Sequence, residues 1–399
     1  MSSTELPKNG GGSGALNAVR LIAPVLLLAG VIALFVFTKG AGLNITPAAP
    51  IETVQFERTT LAPGRIELRL RNTSPQSITV AQLSINEAMW PFEISPDRVV
   101  PRLGGAVVTL EYPWVQGEAY EITLLSGNSI PFTTEVPVAA TTAGISAVTL
   151  WSFTLIGLYV GILPVVLGML WLPLLARLGA RGTTFLMSAT VGLLLYLGVD
   201  ATSEGLELGA ELGGPLQGTG IVAIGIIGTV LLLSAVSRRQ VAAQDDGAGK
   251  RRSLATAIAI GIGLHNLGEG LAIGAAYAVG AAALGTFLVI GFIIQNITEG
   301  LGIVVPISRD RPSLRTLGGL ALIGGGPAIA GAWIGGLLYS QPWSVFFLAI
   351  GAGAVFQVAY QIGREMIWKG TSGPTRSWEA FAGVLTGMAV LYLTGLAIK

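Results

Sequence analysis

The chain of 399 residues has no cysteine at all. That absence excludes disulfides, removes every thiolate metal ligand and leaves the redox compartment unreadable from thiols. Histidine is nearly absent too: His265 is the single one, and the HExxH pattern of many zinc hydrolases is missing with it. Charged residues make up only 11% of the chain and the formal net charge is +1, which argues against a nucleic-acid partner, normally marked by a basic patch on a soluble domain. No GxxxxGK[ST] loop occurs, so nothing points to ATP hydrolysis as an energy source.

What is present is apolar. Hydrophobic residues reach 52% and the mean hydropathy is +0.70, too apolar to fold around one water-facing surface. The expected fold class is therefore mainly α, a polytopic membrane protein. Crossing a hydrocarbon core about 30 Å thick takes roughly 20 mostly apolar residues. Nine such stretches stand near residues 19–38, 145–171, 183–204, 218–237, 253–279, 282–307, 315–339, 343–368 and 378–398. Lys and Arg gather at alternate connections: Lys8 and Arg20, then Arg177 and Arg181, then Arg238, Arg239, Lys250, Arg251 and Arg252. Arg309, Arg311 and Arg315, followed by Arg364, Lys369 and Arg376, continue the series. Because cytoplasmic loops carry this excess, the expected topology in the cell membrane has the N-terminus inside and the C-terminus outside. Residues 1–18 read as a flexible cytoplasmic tail and 19–38 as an anchor, with a signal peptide as the alternative, although no A-x-A-like cleavage site follows.

Residues 50–138 change character. "RIELRLRNTSPQSITVAQLSINEAMWPFEI" and "AVVTLEYPWVQGEAYEITLLSG" alternate apolar and polar positions between Pro, Gly and Asn breaks, which predicts six to eight short strands in an extracytoplasmic β-sandwich, immunoglobulin-like or cupredoxin-like. A copper site of the cupredoxin kind needs Cys and His, and this segment has neither. It reads as a structural cap or partner-binding module, with Trp90, Tyr112 and Trp114 as strand-face packing. The remaining helices, 145–398, form an eight-helix core. Its longest cytoplasmic connection, "SRRQVAAQDDGAGKRRS", is polar enough to be a mobile loop. Many of the 56 glycines sit in the spans as small-residue spacings that let helix backbones approach.

The chemistry lies in two echoed motifs, "GLHNLGEGLAIG" from Gly263 and "IIQNITEGLGIVVP" from Ile293. Residues four apart share a helix face, so His265 lies above Glu269, and Gln295 above Glu299 on the next helix. A short turn makes the two helices antiparallel neighbours whose faces can meet within the bilayer. An imidazole, two carboxylates and an amide oxygen could then surround a divalent ion at roughly 2.0–2.2 Å. Acids at membrane depth need a reason, since an Asp at a helix centre costs about 2.5–3.5 kcal/mol on insertion scales. The bland alternative is that these groups bond one another and only hold the bundle together. Asp200 and Glu204, four apart at the outer end of the second core helix, are candidate pathway acids or solvated helix-end carboxylates; Glu207 and Glu211 read as facing water. Pro164 and Pro306 are expected to kink their helices.

"HNLGEGLAIG" followed by "QNITEGLGIVVPI" resembles the fourth and fifth helices of the ZIP family of divalent metal transporters, whose members carry HNxxDG or HNxxEG and then HExxEG or variants. The likeness spans the eight-helix core, 145–398, and leaves out the anchor and the sandwich. It implies that His265, Glu269, Gln295 and Glu299 ligate the transported metal, with Asn266 and Asn296 beside the site, and that Asp200 and Glu204 match the acidic end of the family's second helix. Several positions depart from the family. Members with two metals have an acid where this chain has Asn296, and commonly a Glu before Pro where it has Gly326. The seventh helix reads "YQIGRE", placing Tyr360 and Gln361 where many members have HE, and the cytoplasmic loop lacks histidines.

The expected function is alternating-access transport of a divalent cation toward the cytoplasm, zinc first, with iron, manganese or cadmium as alternatives. No resident cofactor and no enzyme activity are expected. The expected partners are the metal, the lipid bilayer and a second copy of the chain as a candidate homodimer. Two other classes stay open: a non-transporting scaffold or sensor whose sandwich binds a partner, and an intramembrane metallohydrolase.

Overall fold

The computed structural model describes residues 13–38, 51–142, 144–242, 247–278, 282–338, 340–368 and 377–398. Lys8, Lys369 and Arg376 lie outside the described residues, as do most of the expected N-terminal tail and the side chains of Arg20, Arg238 and Arg239. Helix α1, Ser13–Phe37, stands as a unit of its own. It takes up the last residues of that tail, and its described apolar stretch, Ile22–Phe37, is shorter than the spans that follow. Among the described residues, eight other helices are long and apolar enough to cross a membrane, so the chain is a multi-pass membrane protein joined to a strand-rich region.

That region has nine strands, β1 (Val54–Ala62), β2 (Arg65–Asn72), β3 (Ile78–Ile85), β4 (Ala88–Met89), β5 (Glu93–Ser95), β6 (Val99–Val100), β7 (Gly105–Glu111), β8 (Tyr120–Ser126) and β9 (Pro131–Val136). One more strand than the predicted maximum is present because three-residue and two-residue pairings are too short to leave a period in the sequence. One sheet runs β1-β2-β7-β5 and the other β4-β3-β8-β9, with β6 also on β3, all antiparallel. The period of two decides the faces: Ile66, Leu68 and Leu70 are buried while Arg65 and Arg71 on the same strand face outward. Ile122 and Leu124 of β8 meet them in one apolar core. Trp90 stands edge-on to Tyr112 at 4.9 Å and Tyr112 edge-on to Tyr120 at 5.5 Å, so these aromatics pack as expected.

The eight spans are α2 (Ala147–Leu175), α3 (Ala180–Ala210), α4 (Gly218–Ala242), α5 (Gly247–Ala278), α6 (Ala282–Val304), α7 (Leu314–Leu338), α8 (Gln341–Trp368) and α9 (Ser377–Ile398). Two boundaries differ in an informative way. Helix α3 runs on to Ala210, so Asp200, Glu204 and Glu207 lie within it rather than at its end. The connection expected to be a loop from 237 to 253 is helix except for residues 243–246, which lie outside the described residues. Ala, Gln, Arg and Lys favour helix whether or not lipid surrounds them, so a hydropathy limit is not a helix limit.

Three spans are irregular. In α2 a π-helical turn, Leu158–Ile162, precedes Pro164, and α7 breaks at Gly326 into Leu314–Gly325 and Pro327–Leu338. Pro306, expected to kink α6, instead sits in a short 3-10 turn at its end. A proline lacks the N–H that would continue the ladder and strands a carbonyl one turn back.

The helices group as α2, α5, α6 and α7 on one side and α3, α4, α8 and α9 on the other. Glycines set the closeness within each group. A Cβ at Gly270 of α5 would stand 2.1 Å from the Ala328 oxygen of α7, and one at Gly331 of α7 2.1 Å from the Leu267 oxygen. In the second group a Cβ at Gly192 would stand 2.0 Å from the Val384 oxygen. These are backbone-on-backbone contacts that any side chain would pry apart. Between the groups the glycines meet side chains, as Gly261 meets Val358, or lie farther off, as Gly351 lies from His265 with 3.1 Å to its Cα.

Candidate functional site

Helices α5 and α6 pack directly on each other. The helical period puts His265 and Glu269 on the face of α5 that meets Gln295, Asn296 and Glu299 of α6. All three titratable groups are buried, with 8% of His265, 4% of Glu269 and none of Glu299 exposed. One ligand atom from each of these three lies within 4.8 Å of the others, and among the described residues no other trio of His, Asp or Glu comes so close. Donors around one divalent ion at about 2.0–2.2 Å must stand within about 4.4 Å of each other, so small side-chain adjustments suffice to close the cluster on a cation.

The two carboxylates are unequal. Glu269 is satisfied: Gln295 Nε2 donates to its Oε1 at 2.7 Å and Asn296 Nδ2 to its Oε2 at 2.9 Å, while His265 Nε2 stands 3.5 Å from Oε1. Glu299 is fully buried, yet neither of its oxygens has a hydrogen-bond partner among the described residues. Asn266 and Gln295 come near it without hydrogen-bonding geometry. The side-chain oxygens of Asn266 and Asn296 are buried and unpartnered as well. Every unmet atom here is therefore an acceptor. A buried polar atom left alone costs about 1–3 kcal/mol, more when charged, so what the site calls for is positive charge or donors. A cation, or the water a cation carries, supplies both.

Gln295 departs from its expected part. It is only half-buried, and it turns its amide nitrogen, not its oxygen, toward Glu269 and toward His265 Nε2 at 3.4 Å. To ligate a metal it must rotate about its terminal torsion, which is soft and roughly two-fold. The asparagines serve as fasteners. Asn296 donates from one nitrogen both to Glu269 and to the Val160 carbonyl in the π-turn of α2, at 3.0 Å. Asn266 donates to the Gly324 carbonyl at 3.0 Å, beside the break in α7. Both carbonyls come from helix irregularities. Of the prolines beside them, only Pro164 is expected from the sequence to kink its helix; Pro327, beside the second carbonyl, carries no such expectation, and a proline does not identify the carbonyl it exposes.

Asp200 is exposed and Glu204 half-buried. Both lie near enough to His265 to interact with it electrostatically, but outside the ligand cluster. Glu207 is exposed as expected, whereas Glu211 does more than face water: its Oε2 accepts from Gln341 Nε2 at 2.6 Å. Tyr360 points outward with 66% exposure, and Gln361 accepts from Ser237 of α4 at 2.9 Å. No family model matches the chain, and no curated protein matches it.

Proposed function

We propose that the protein is a divalent metal transporter of the ZIP type, moving zinc, or a related ion such as iron, manganese or cadmium, toward the cytoplasm. The observation that carries the reading is the trio of His265, Glu269 and Glu299, buried in a membrane-spanning bundle with both oxygens of Glu299 unpartnered. A bundle that only needed cohesion would gain nothing from a buried carboxylate with no donor, since structural polar groups in lipid are paired. The metal is cargo, held by His265, Glu269 and Glu299, with Gln295 as a fourth ligand after rotation. The order in which the motifs occur, HNxxEG and then QNxxEG, supports the family over other metal carriers.

Alternating access suits the helix grouping. The whole ligand set belongs to α5 and α6, in the group that glycine contacts weld together with α2 and α7. The softer seam runs past His265 to α8, and shear along such a seam exposes a site to each side in turn. Orientation follows the basic residues. Arg309 donates to the Leu178 carbonyl at 2.7 Å and Arg251 pairs with Asp310, so these basic connections share one end of the bundle, assigned to the cytoplasm by the positive-inside rule. The sandwich then lies outside the cell membrane.

Uptake of zinc, iron(II), manganese and cadmium into proteoliposomes tests the reading, with Glu299→Ala alongside the native protein. Flux in the native protein that Glu299→Ala abolishes supports it. Folded native protein that moves none of the four metals refutes it.

A further inference from the structure

Strand β1 does not run straight. Its register against β2 pairs Gln55 with Arg71 and Phe56 with Leu70, then slips so that Arg58 stands opposite Arg69. Glu57 is thus an extra, bulged residue, and its carboxylate pairs with Arg71. In an unbroken strand, residues three apart point to opposite faces. The bulge cancels one alternation and sends Gln55 and Arg58 to the same side, onto the helices.

Their partners there are specific. Gln55 is buried and donates from Nε2 to Gln341 Oε1, at the first residue of α8, at 2.9 Å. Gln341, also buried, donates in turn to Glu211 Oε2 at 2.6 Å and to the Leu208 carbonyl at 3.3 Å, both at the end of α3. Arg58 Nη1 donates to the Leu337 carbonyl at 2.8 Å, in the last turn of α7. A guanidinium there meets the carbonyls that a helix end leaves open and the negative end of its dipole. The placement has a cost: burial, and then repulsion from Arg69, hold the Arg58 pKa below its ordinary value.

Helix α7 belongs to one group and α8 and α3 to the other. The end of α7 and the start of α8 are close in the chain, and β1 bonds both sides of this short link, at Leu337 and at Gln341. We propose that β1 is a clamp across that link, its bulge aiming Arg58 at one group and Gln55 at the other, so that the sandwich fixes how far the two helix groups can shift at this end. The sandwich is then a conformational brace on the helices it sits on. This rests on the two-group geometry alone and stands whether or not the cargo is a metal.

The absence of cysteine makes the test clean, because an introduced pair is the only thiol pair. Spin labels on Leu284→Cys at the start of α6 and Leu206→Cys on α3, both exposed, report the distance between the groups by pulsed electron resonance in lipid nanodiscs of the full chain. Arg58→Ala with Gln55→Leu is expected to broaden or shift that distance distribution. Arg58→Lys, which keeps a cationic donor, is expected to restore it when Gln55 is native. Gln341→Ala breaks the same bridge from the helix side and leaves the sandwich sequence intact, so a folding defect in the strand variants does not block the test. Folded Gln341→Ala and Arg58→Ala variants that both keep the native distribution would overturn the clamp.

Discussion

Asn296 on α6 holds Glu269 on α5 by a 2.9 Å hydrogen bond, and the same amide nitrogen is anchored 3.0 Å from the Val160 carbonyl of α2. One side chain thereby ties three helices to one ligand oxygen. Its neighbour three residues on, Glu299, has no such tie. Glu269 is positioned in advance, and under the proposed function Glu299 is the group that the cargo satisfies.

Replacing Glu299 should therefore separate stability from function. Glu299→Gln removes a buried unpartnered carboxylate, and the metal-free protein is expected to gain stability, by about 1–3 kcal/mol. Metal-dependent stabilisation, about 2.7 kcal/mol for a native protein held at a hundred times its Kd, should vanish in the variant. Thermal unfolding in detergent, with chelator and with added zinc, measures both. A variant less stable than the native protein, and still stabilised by zinc, contradicts the assignment.

Asn296 offers a finer test, because it acts through Glu269. Loss of such an outer partner typically weakens metal binding about 10–100-fold, and Asn296→Ala should show that loss in isothermal titration while the protein stays folded. Asn296→Asp should behave differently. It cannot donate to Glu269 or Val160, and it adds a like charge beside Glu269, so the metal-free form should be destabilised and the zinc-bound form should recover most of the loss.

Glycine substitutions should sort by what lies opposite. Gly270→Ala places a Cβ 2.1 Å from the Ala328 oxygen, and forcing α5 from α7 should cost about 1–3 kcal/mol. Gly318→Ala, in a stretch of α7 with nothing within 4 Å, should be neutral or gain up to about 1 kcal/mol of helix propensity. Comparing the two melting temperatures in one detergent decides the matter.

Asp200 and Glu204 should matter for delivery and not for the resting site. Asp200→Asn with Glu204→Gln is expected to lower zinc uptake about tenfold at low ionic strength, with the difference shrinking as salt rises. The zinc affinity of the detergent-solubilised protein should change little. Uptake independent of salt in both proteins would leave these carboxylates as solvated helix positions.

The fold was legible where composition and period carry it. Twenty-residue apolar stretches marked the eight long spans, and the alternation in "RIELRLRN" marked a half-buried strand. Helix ends were not legible, because the described stretches around Glu207, at 238–242 and at 250–253 are polar, so hydropathy stops before the helix does. The two-residue strands were invisible for lack of a period. In the site, the i to i+4 spacing on neighbouring helices brought together His265, Glu269 and Glu299, since that rule depends only on helix geometry. It could not say that Gln295 presents nitrogen, a matter of a single torsion answering to Glu269.

The sequence by itself determined that this is a chain of membrane helices and strands, and which polar side chains lie within the apolar spans, because hydrophobicity and backbone period are local properties. Only the tertiary structure decided which carboxylate is satisfied, which carbonyls the breaks in α2 and α7 release to Asn296 and Asn266, and that a bulge turns Gln55 and Arg58 to one side of β1, where Gln55 meets α8 and Arg58 meets α7. Each of those depends on contacts between residues 26 to 286 positions apart, set by glycine-limited packing, and no local pattern encodes a distance that the whole fold must close.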